Sequence, residues 1–139
     1  MPGTFNLQRF LDAQSGVYNN VLAELRTGRK LSHWMWFIFP QISGLGSSPT
    51  AVRYAISSRA EAIAYREHPL LGQRLRECTC LVNEIEGRSI HQIFGYPDDL
   101  KFHSSMTLFA NVTSENKLFK DALQKYFDGS EDALTLQRL

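Results

Sequence analysis

The chain has 139 residues, of which 43% are hydrophobic and 12% aromatic, so it is long enough to form one domain with a substantial core. Fifteen basic and fourteen acidic side chains give a net charge of +1. This balance argues against nucleic acid or an anionic membrane as a partner, since both need concentrated positive charge. We therefore expect a single globular domain spanning residues 1–139.

The two cysteines, Cys78 and Cys80, lie two positions apart in a segment predicted to be helical. Their side chains would point in different directions and could not form a disulfide. No Cys-x-x-Cys pair or histidine-rich motif is present, so we expect reduced thiols, no metal site and no cofactor. No segment approaches the roughly 20 apolar residues of a membrane span, and no signal peptide is evident. These features predict a soluble, cytoplasmic protein.

Apolar residues recur every three or four positions over residues 7–25, and this spacing predicts a helix that ends at Gly28. Because Gly16 interrupts the pattern, the segment is either one long helix or two helices joined near this glycine. Gln14 falls on the apolar stripe one turn before Tyr18, so its amide is expected to be partly buried and to need a hydrogen-bond partner. Both residues are candidates for a binding site.

The segment from residue 28 to residue 41 is unusually dense in polar and aromatic groups. Its chemically informative residues are Arg29, Lys30, His33, Trp34, Trp36 and Gln41. Residues 32–39 are predicted to form either a short helix or a buried irregular run. Since positions two apart do not share a helix face, we expect one tryptophan to pack inward and the other to line a cavity or surface. The simpler interpretation is that the aromatics are core anchors and that the cations compensate a helix dipole.

Residues 41–48 are rich in glycine and serine and predict a tightly turned or flexible loop. Ser48 and Pro49 then have the pattern of an N-cap followed by an N1 proline, which predicts a short helix through Ile56. The loop would either present backbone donors to an anion or serve as a plain connector. Tyr54, on the predicted helix, is a further ligand-binding candidate.

Two longer helices are predicted next. Residues 58–61 match a capping box, and the helix that they open should end before Pro69. A second helix continues to Gly87, with an apolar stripe that places Cys78 on the core face. The stripe makes Cys78 a small buried hydrophobe rather than a reactive thiol.

A second polar segment spans residues 98–105. Asp98 is predicted to cap a helix, on which Lys101, Ser104 and Ser105 share one face at spacings i, i+3 and i+4. If this patch is buried, its lysine needs an anionic partner. A Ser-Lys nucleophilic pair is the alternative, although this spacing often arises by chance. Helix capping and dipole compensation explain the presence of Asp98 at this position. Alternatively, its carboxylate acts as a general base.

Residues 118–126 predict a further amphipathic helix, and Ser130 is expected to start a short C-terminal one. No alternating strand pattern or Asn-Gly hairpin signal competes with these helices. The expected fold class is therefore all-α, a single compact domain of six to eight helices.

The strings HWMWFIFPQ at residues 33–41 and SSMTLFA at residues 104–110, with shorter matches such as GRK at residues 28–30, resemble the family called DUF1810. The resemblance extends over nearly the whole chain. It implies a small all-helical domain similar to the mycobacterial Rv1873-like fold. The family has no established biochemical function, so the resemblance implies a fold and not a reaction.

From these residues we expect a polar pocket where residues 33–41 meet the helix that carries Lys101. The ligand-binding candidates are Gln14, Tyr18, Lys30, Trp34, Trp36, Gln41, Tyr54, Ser104 and Ser105. Cationic, stacking and hydrogen-bonding groups suit a small anionic nucleotide or nucleotide sugar, with ADP-ribose-type N-glycosides as one specific guess.

If the protein is an enzyme, metal-free hydrolysis of such a ligand is the expected class. The catalytic candidates are His33, Asp98 and Lys101. The competing hypothesis is a non-enzymatic interaction domain whose aromatics bury a segment of a protein partner. A concave pocket would favour the ligand, whereas a flat surface that displays Trp34 or Trp36 would favour the partner.

Overall fold

A computed structural model describes residues 5–139 of the chain, and within this range the regular structure is helical. The helices are α1 (Gln8–Gln14), α2 (Tyr18–Thr27), α3 (Met35–Ile38), α4 (Pro49–Tyr54), α5 (Arg59–Glu67), α6 (Pro69–Glu84), α7 (Ile90–Phe94), α8 (Asp98–Val112), α9 (Lys117–Phe127) and α10 (Ala133–Gln137). Over the described residues no strand forms, and one isolated parallel bridge joins Ile42 to Ile56. The all-α prediction is confirmed.

The predicted count of six to eight helices is wrong, because the described residues form ten. Helix α7 was not predicted, since five residues are too few to show helical periodicity. Its start nevertheless has a local signal: Ser89 and Gln92 form a reciprocal capping box. At the N-terminal end, α1 and α2 are separate helices on either side of Gly16, which has φ +81°.

Several helix ends follow the chemistry of their caps. Gly28 ends α2 in the left-handed conformation at φ 82°, and the Ser48 hydroxyl accepts a hydrogen bond from the amide of Ala51 at the start of α4.

Several ends differ from expectation. Helix α4 ends at Tyr54 rather than at Ile56, and α6 ends at Glu84 rather than at Gly87. Asp98 is the first residue of α8 rather than its cap, and α10 is capped by Asp132 instead of beginning at Ser130.

Helix α8 is the centre of the molecule. It contacts α3, α5, α7, α9 and α10, and most of its residues from Phe102 onward are buried. A helix that is buried on nearly all sides belongs in the middle of a bundle rather than on its surface. Phe102 stacks within an aromatic cluster in which the Phe39 and Phe94 rings each lie 5.0 Å from its own.

Cys78 is buried on the core face of α6, as the apolar stripe predicted, and Cys80 is exposed; both thiols are free. Within residues 5–139, no helix has both the length and the apolar composition needed to cross a membrane.

Candidate functional site

A cleft of about 490 Å³ lies between the first turns of α8 and the loop that leads into α4. We call it the tryptophan cleft. Four of the residues that the sequence singled out line it: Trp36, Gln41, Lys101 and Ser104. The remainder of its wall comes from Leu45, Gly46, Ser47, Ser48, Ala51, Pro97, Leu100, His103, Asp132 and Leu134.

Trp36 and Lys101 form the charged and aromatic end of the tryptophan cleft. The Lys101 ammonium lies over the indole of Trp36, 4.4 Å from the ring centroid. Such cation–π contacts hold an ammonium beside an aromatic wall while it keeps its charge. Of the two tryptophans, Trp36 is therefore the one that lines a cavity, as the spacing argument required of one of them.

Asp98 connects Lys101 to a second lysine. Its Oδ1 lies 3.4 Å from Lys101 Nζ, and its Oδ2 lies 2.8 Å from Lys30 Nζ. The Lys30 side chain is only 7% exposed and is not part of the lining of the cleft. One carboxylate thus serves two ammonium groups, and the three residues together carry a net positive charge.

Among the polar groups of the tryptophan cleft, the indole N–H of Trp36 and the side-chain amide of Gln41 have no hydrogen-bond partner among residues 5–139. The Gln41 backbone, by contrast, is held in place because its carbonyl accepts from Ile56 N at 2.8 Å. The loop is therefore anchored while its amide side chain remains available.

Asp132 also lines the cleft, and the sequence analysis did not identify it. Its Oδ2 accepts hydrogen bonds from Ser104 Oγ at 3.0 Å and from Thr135 Oγ1 at 2.6 Å. Within the described chain its Oδ1 has no partner. The local signal was the Asp-x-x-Thr spacing of an N-cap, which predicts a helix start but does not reveal that the carboxylate reaches α8.

His103 was also missed as a site residue. Its ring stacks on Phe127 with centroids 4.0 Å apart, and its Nε2 lies 2.7 Å from the carbonyl oxygen of Ser130. A carbonyl oxygen only accepts, so Nε2 carries a proton and donates it. In the neutral ring this leaves Nδ1 as the proton acceptor of a residue that lines the cleft.

Gln14 and Tyr18 lie away from the tryptophan cleft, in a polar cluster around Arg74. Gln14 is 1% exposed; its Nε2 donates to the Phe37 carbonyl at 2.8 Å, and its Oε1 accepts from Arg74 at 3.1 Å. The Tyr18 hydroxyl donates to Glu77 at 2.6 Å, and burial raises its pKa above the ordinary value. The expected burial of Gln14 is confirmed, and its partners are structural.

Trp34 is a core residue, 2% exposed. Its indole N–H donates to Glu24 at 2.9 Å, and the same carboxylate accepts from Ser32 Oγ at 2.6 Å and from the amide of Leu31 at 2.7 Å. Burial raises the pKa of Glu24, but these hydrogen bonds outweigh it and lower the pKa to about 2.

The remaining predicted residues are dispersed. Ser105 is fully buried and its hydroxyl has no partner in the described structure. Tyr54 lines a small pocket that adjoins the tryptophan cleft and shares Trp36 and Gln41 with it. His33 is exposed and lies outside the lining of both. No three His, Cys, Asp or Glu side chains within residues 5–139 are placed to hold a metal ion.

The fold and this cleft define a small all-helical domain with a polar, tryptophan-lined cavity. The chain belongs to the DUF1810 family of proteins of unknown function, whose model matches residues 4–139. It is similar to the conserved hypothetical protein Rv1873 from Mycobacterium tuberculosis, known from a crystal structure. The two share 61% sequence identity and superpose with a TM-score of 0.96 over 97% of this chain and 96% of that one. No curated protein matches the chain in sequence.

Proposed function

We propose that the tryptophan cleft binds a small anionic ligand with a planar group, of the nucleotide or nucleotide-sugar class. The observation that carries this proposal is the pair of Trp36 and Lys101, an ammonium and an indole in contact at 4.4 Å on the wall of a cleft of about 490 Å³. Indoles stack on planar rings, and an ammonium neutralises phosphate or carboxylate.

Lys101 is free to engage a ligand at modest electrostatic cost. Its present partner, Asp98, lies closer to Lys30, at 2.8 Å against 3.4 Å. When Lys101 turns toward an anionic group, Asp98 keeps a paired cation and is not left as an uncompensated carboxylate. The unpaired amide of Gln41 then supplies a hydrogen bond that fixes orientation.

The part of the wall formed by Asp132 and Ser104 suits hydroxyl groups. Asp132 offers its Oδ1 as an acceptor, and Ser104 presents a hydroxyl beside it. A carboxylate here repels phosphate but binds a sugar diol, whereas the Trp36–Lys101 pair suits a planar anionic group. A ligand of the ADP-ribose type carries both kinds of group.

Metal-free hydrolysis of the bound ligand is the reaction to which this proposal extends. A general base that deprotonates water must lie within hydrogen-bond reach of the reacting atoms. Asp132 and His103 line the cleft, whereas His33 does not and Asp98 is engaged by two lysines. The acid–base role proposed for His33 and Asp98 therefore has better-placed candidates in Asp132 and His103.

The competing function, an interaction domain that displays its tryptophans, receives less support. Trp34 is 2% exposed, and Trp36 is half-buried inside a concave cleft. Neither indole is presented on a flat surface, which is what a protein partner would require.

The test is a thermal-shift titration of the purified chain with AMP, ADP-ribose and sugar phosphates. A ligand at 100 times its dissociation constant should stabilise the fold by about 2.7 kcal/mol, a shift of several degrees. The shift should be lost in Lys101→Ala and retained in Lys117→Ala, which removes an 86% exposed lysine elsewhere. Mass spectrometry of the ligand after incubation then reports hydrolysis. The absence of a shift with every ligand would contradict the binding proposal.

A further inference from the structure

We propose a second, independent binding site, which takes a phosphate-bearing ligand. It is a cleft of about 400 Å³ between the C-terminal end of α2 and helix α7, and we call it the arginine cleft. Its polar lining is Arg29, Lys30, Arg88, His91 and Gln92, and Phe94 contributes to its apolar part. No residue that lines the tryptophan cleft takes part.

The lining of the arginine cleft carries only positive charge. Arg29, Lys30 and Arg88 are cations, His91 becomes one on protonation, and no carboxylate of the described chain lines the cleft. Three other clefts of the described residues include acids. Asp132 lines the tryptophan cleft, Glu131 lines the cleft beside α9, and Glu84 and Glu86 line the cleft beside the end of α2, which Arg88 also borders.

The two guanidinium groups are available for a ligand. Within residues 5–139, the side chains of Arg29 and Arg88 make no hydrogen bond and no ion pair. The other basic groups are engaged, since Lys30 pairs with Asp98 at 2.8 Å and His91 Nδ1 lies 3.2 Å from Asp99. Two free guanidiniums that face one cleft offer the bidentate geometry that binds phosphate.

The dipole of α2 does not account for both arginines. Cations near a helix C-terminus are favoured, and those that serve only this purpose often bond the last carbonyls of the helix. Neither arginine side chain bonds a carbonyl of α2. Arg88 instead lies across the face of Gly28, where a Cβ would lie 3.4 Å from its Cδ and Nε.

A backbone hydrogen bond connects the two segments that carry Arg29 and Arg88. Lys30, directly after Arg29, donates its amide to the carbonyl of Ile93 in α7 at 2.8 Å. This hydrogen bond links the segment after α2 to the helix that follows Arg88, so both guanidiniums extend from anchored backbone. The ligand chemistry is that of a phosphate group, either inorganic or carried by a small organic molecule.

The test is a titration of ¹⁵N-labelled full-length chain with inorganic pyrophosphate at constant ionic strength, followed by NMR. We expect saturable shifts in residues 28–30 and 88–95. Arg29→Gln and Arg88→Gln should each weaken binding about tenfold or more, the effect of losing one charged hydrogen-bonding group. Arg76→Gln, which removes an exposed arginine on α6 that lines none of these clefts, should leave it unchanged.

A parallel titration with glycerol phosphate distinguishes the sources of the phosphate. Tighter binding of pyrophosphate indicates an inorganic or polyphosphate ligand, and tighter binding of the ester indicates a phosphorylated small molecule; both support the site. Shifts that rise linearly without saturation would overturn it. An equal loss in Arg76→Gln would also overturn it, because binding would then follow overall charge. Because NMR assigns each shift to a residue, it distinguishes binding at the arginine cleft from binding at Lys101 in the tryptophan cleft.

Discussion

Glu24 joins the end of α2 to the segment that carries both tryptophans. Four groups donate to its carboxylate: the amides of Leu31 and Ser32, the Ser32 hydroxyl and the Trp34 indole. These donors lie within ten residues of Glu24 along the chain, and they fix the path of the backbone from α2 to α3. Glu24 is therefore a positioning residue for the segment that leads to Trp36 in the wall of the tryptophan cleft.

Replacing Glu24 by Gln should lower the free energy of unfolding by about 3 kcal/mol at pH 7, because the buried network loses its negative charge and one of its two acceptor oxygens. Urea denaturation monitored by circular dichroism measures the change. Glu67→Gln is the control, since Glu67 is exposed at the end of α5. Equal stability of the two variants would contradict this role of Glu24.

The stability that Glu24 contributes should depend on pH. Its pKa is lowered from 4.5 to about 2, so its contribution is fully present above pH 4.5 and is lost as the pH falls toward 2. The shift corresponds to about 3 kcal/mol. The difference between the wild type and Glu24→Gln should therefore shrink over this window in urea titrations. A difference that stays constant from pH 6 to pH 2 would show that the carboxylate is not the source.

Ser105 and Thr107 make a matched pair on α8. Both are fully buried, but Ser105 Oγ has no partner within the described residues, whereas Thr107 Oγ1 donates to the His103 carbonyl and accepts from the amide of Asp132. Ser105→Ala should leave stability unchanged or raise it by up to about 1 kcal/mol. Thr107→Val should lower it by about 1–2 kcal/mol. Thermal denaturation of the two variants gives the comparison, and a large loss in Ser105→Ala would reveal an unrecognised partner.

At the scale of elements, α5 and α6 approach each other at Gly72. A Cβ at this position would lie 2.1 Å from the carbonyl oxygen of Arg66, which is a backbone atom and cannot move aside alone. Gly72→Ala should therefore destabilise the fold by about 3 kcal/mol through overpacking. Gln73→Ala, at the exposed neighbouring position, should be nearly neutral. Denaturant midpoints of the two variants test this, and similar midpoints would contradict the close approach.

Helix bounds were largely predictable because they depend on neighbouring residues. Serine caps at Ser48 and Ser58 and the left-handed Gly28 each act within one turn of the helix that they start or end. The predictions were weakest where an element is short, as with α7. They were also weak where a side chain bonds a residue distant in sequence instead of capping its own helix. Asp98 is the second case, because two lysines engage its carboxylate and it makes no cap.

At the scale of the whole molecule, long-range polar contacts tie the N-terminal helix to the middle of the chain. Arg9 of α1 pairs with Glu61 of α5 at 2.9 Å and also donates to the carbonyls of Arg53 and Ala55. At the other end, α10 is attached to α8 through Asp132 and Ser104. Both ends of the described chain are therefore bonded to the body that surrounds α8.

We expect the chain to unfold in one cooperative transition, in keeping with the predicted single domain. Fluorescence of the buried Trp34 in a Trp36→Phe variant reports the core, and far-ultraviolet circular dichroism reports the helices. The two signals should have coincident midpoints in urea. Separate midpoints would show that part of the helical structure is independent of this core.

The sequence by itself determined the all-helical class, most helix starts and ends, and the core position of Cys78, because caps and apolar periodicity act over a few residues. Only the tertiary structure decided which predicted site residues meet. It placed Trp36 beside Lys101, which lies 65 positions later in the chain. Trp34 instead hydrogen-bonds Glu24, and Gln14 hydrogen-bonds Arg74. It also brought Asp132 to Ser104. Such contacts depend on how helices pack around α8, and neither local spacing nor composition contains that information.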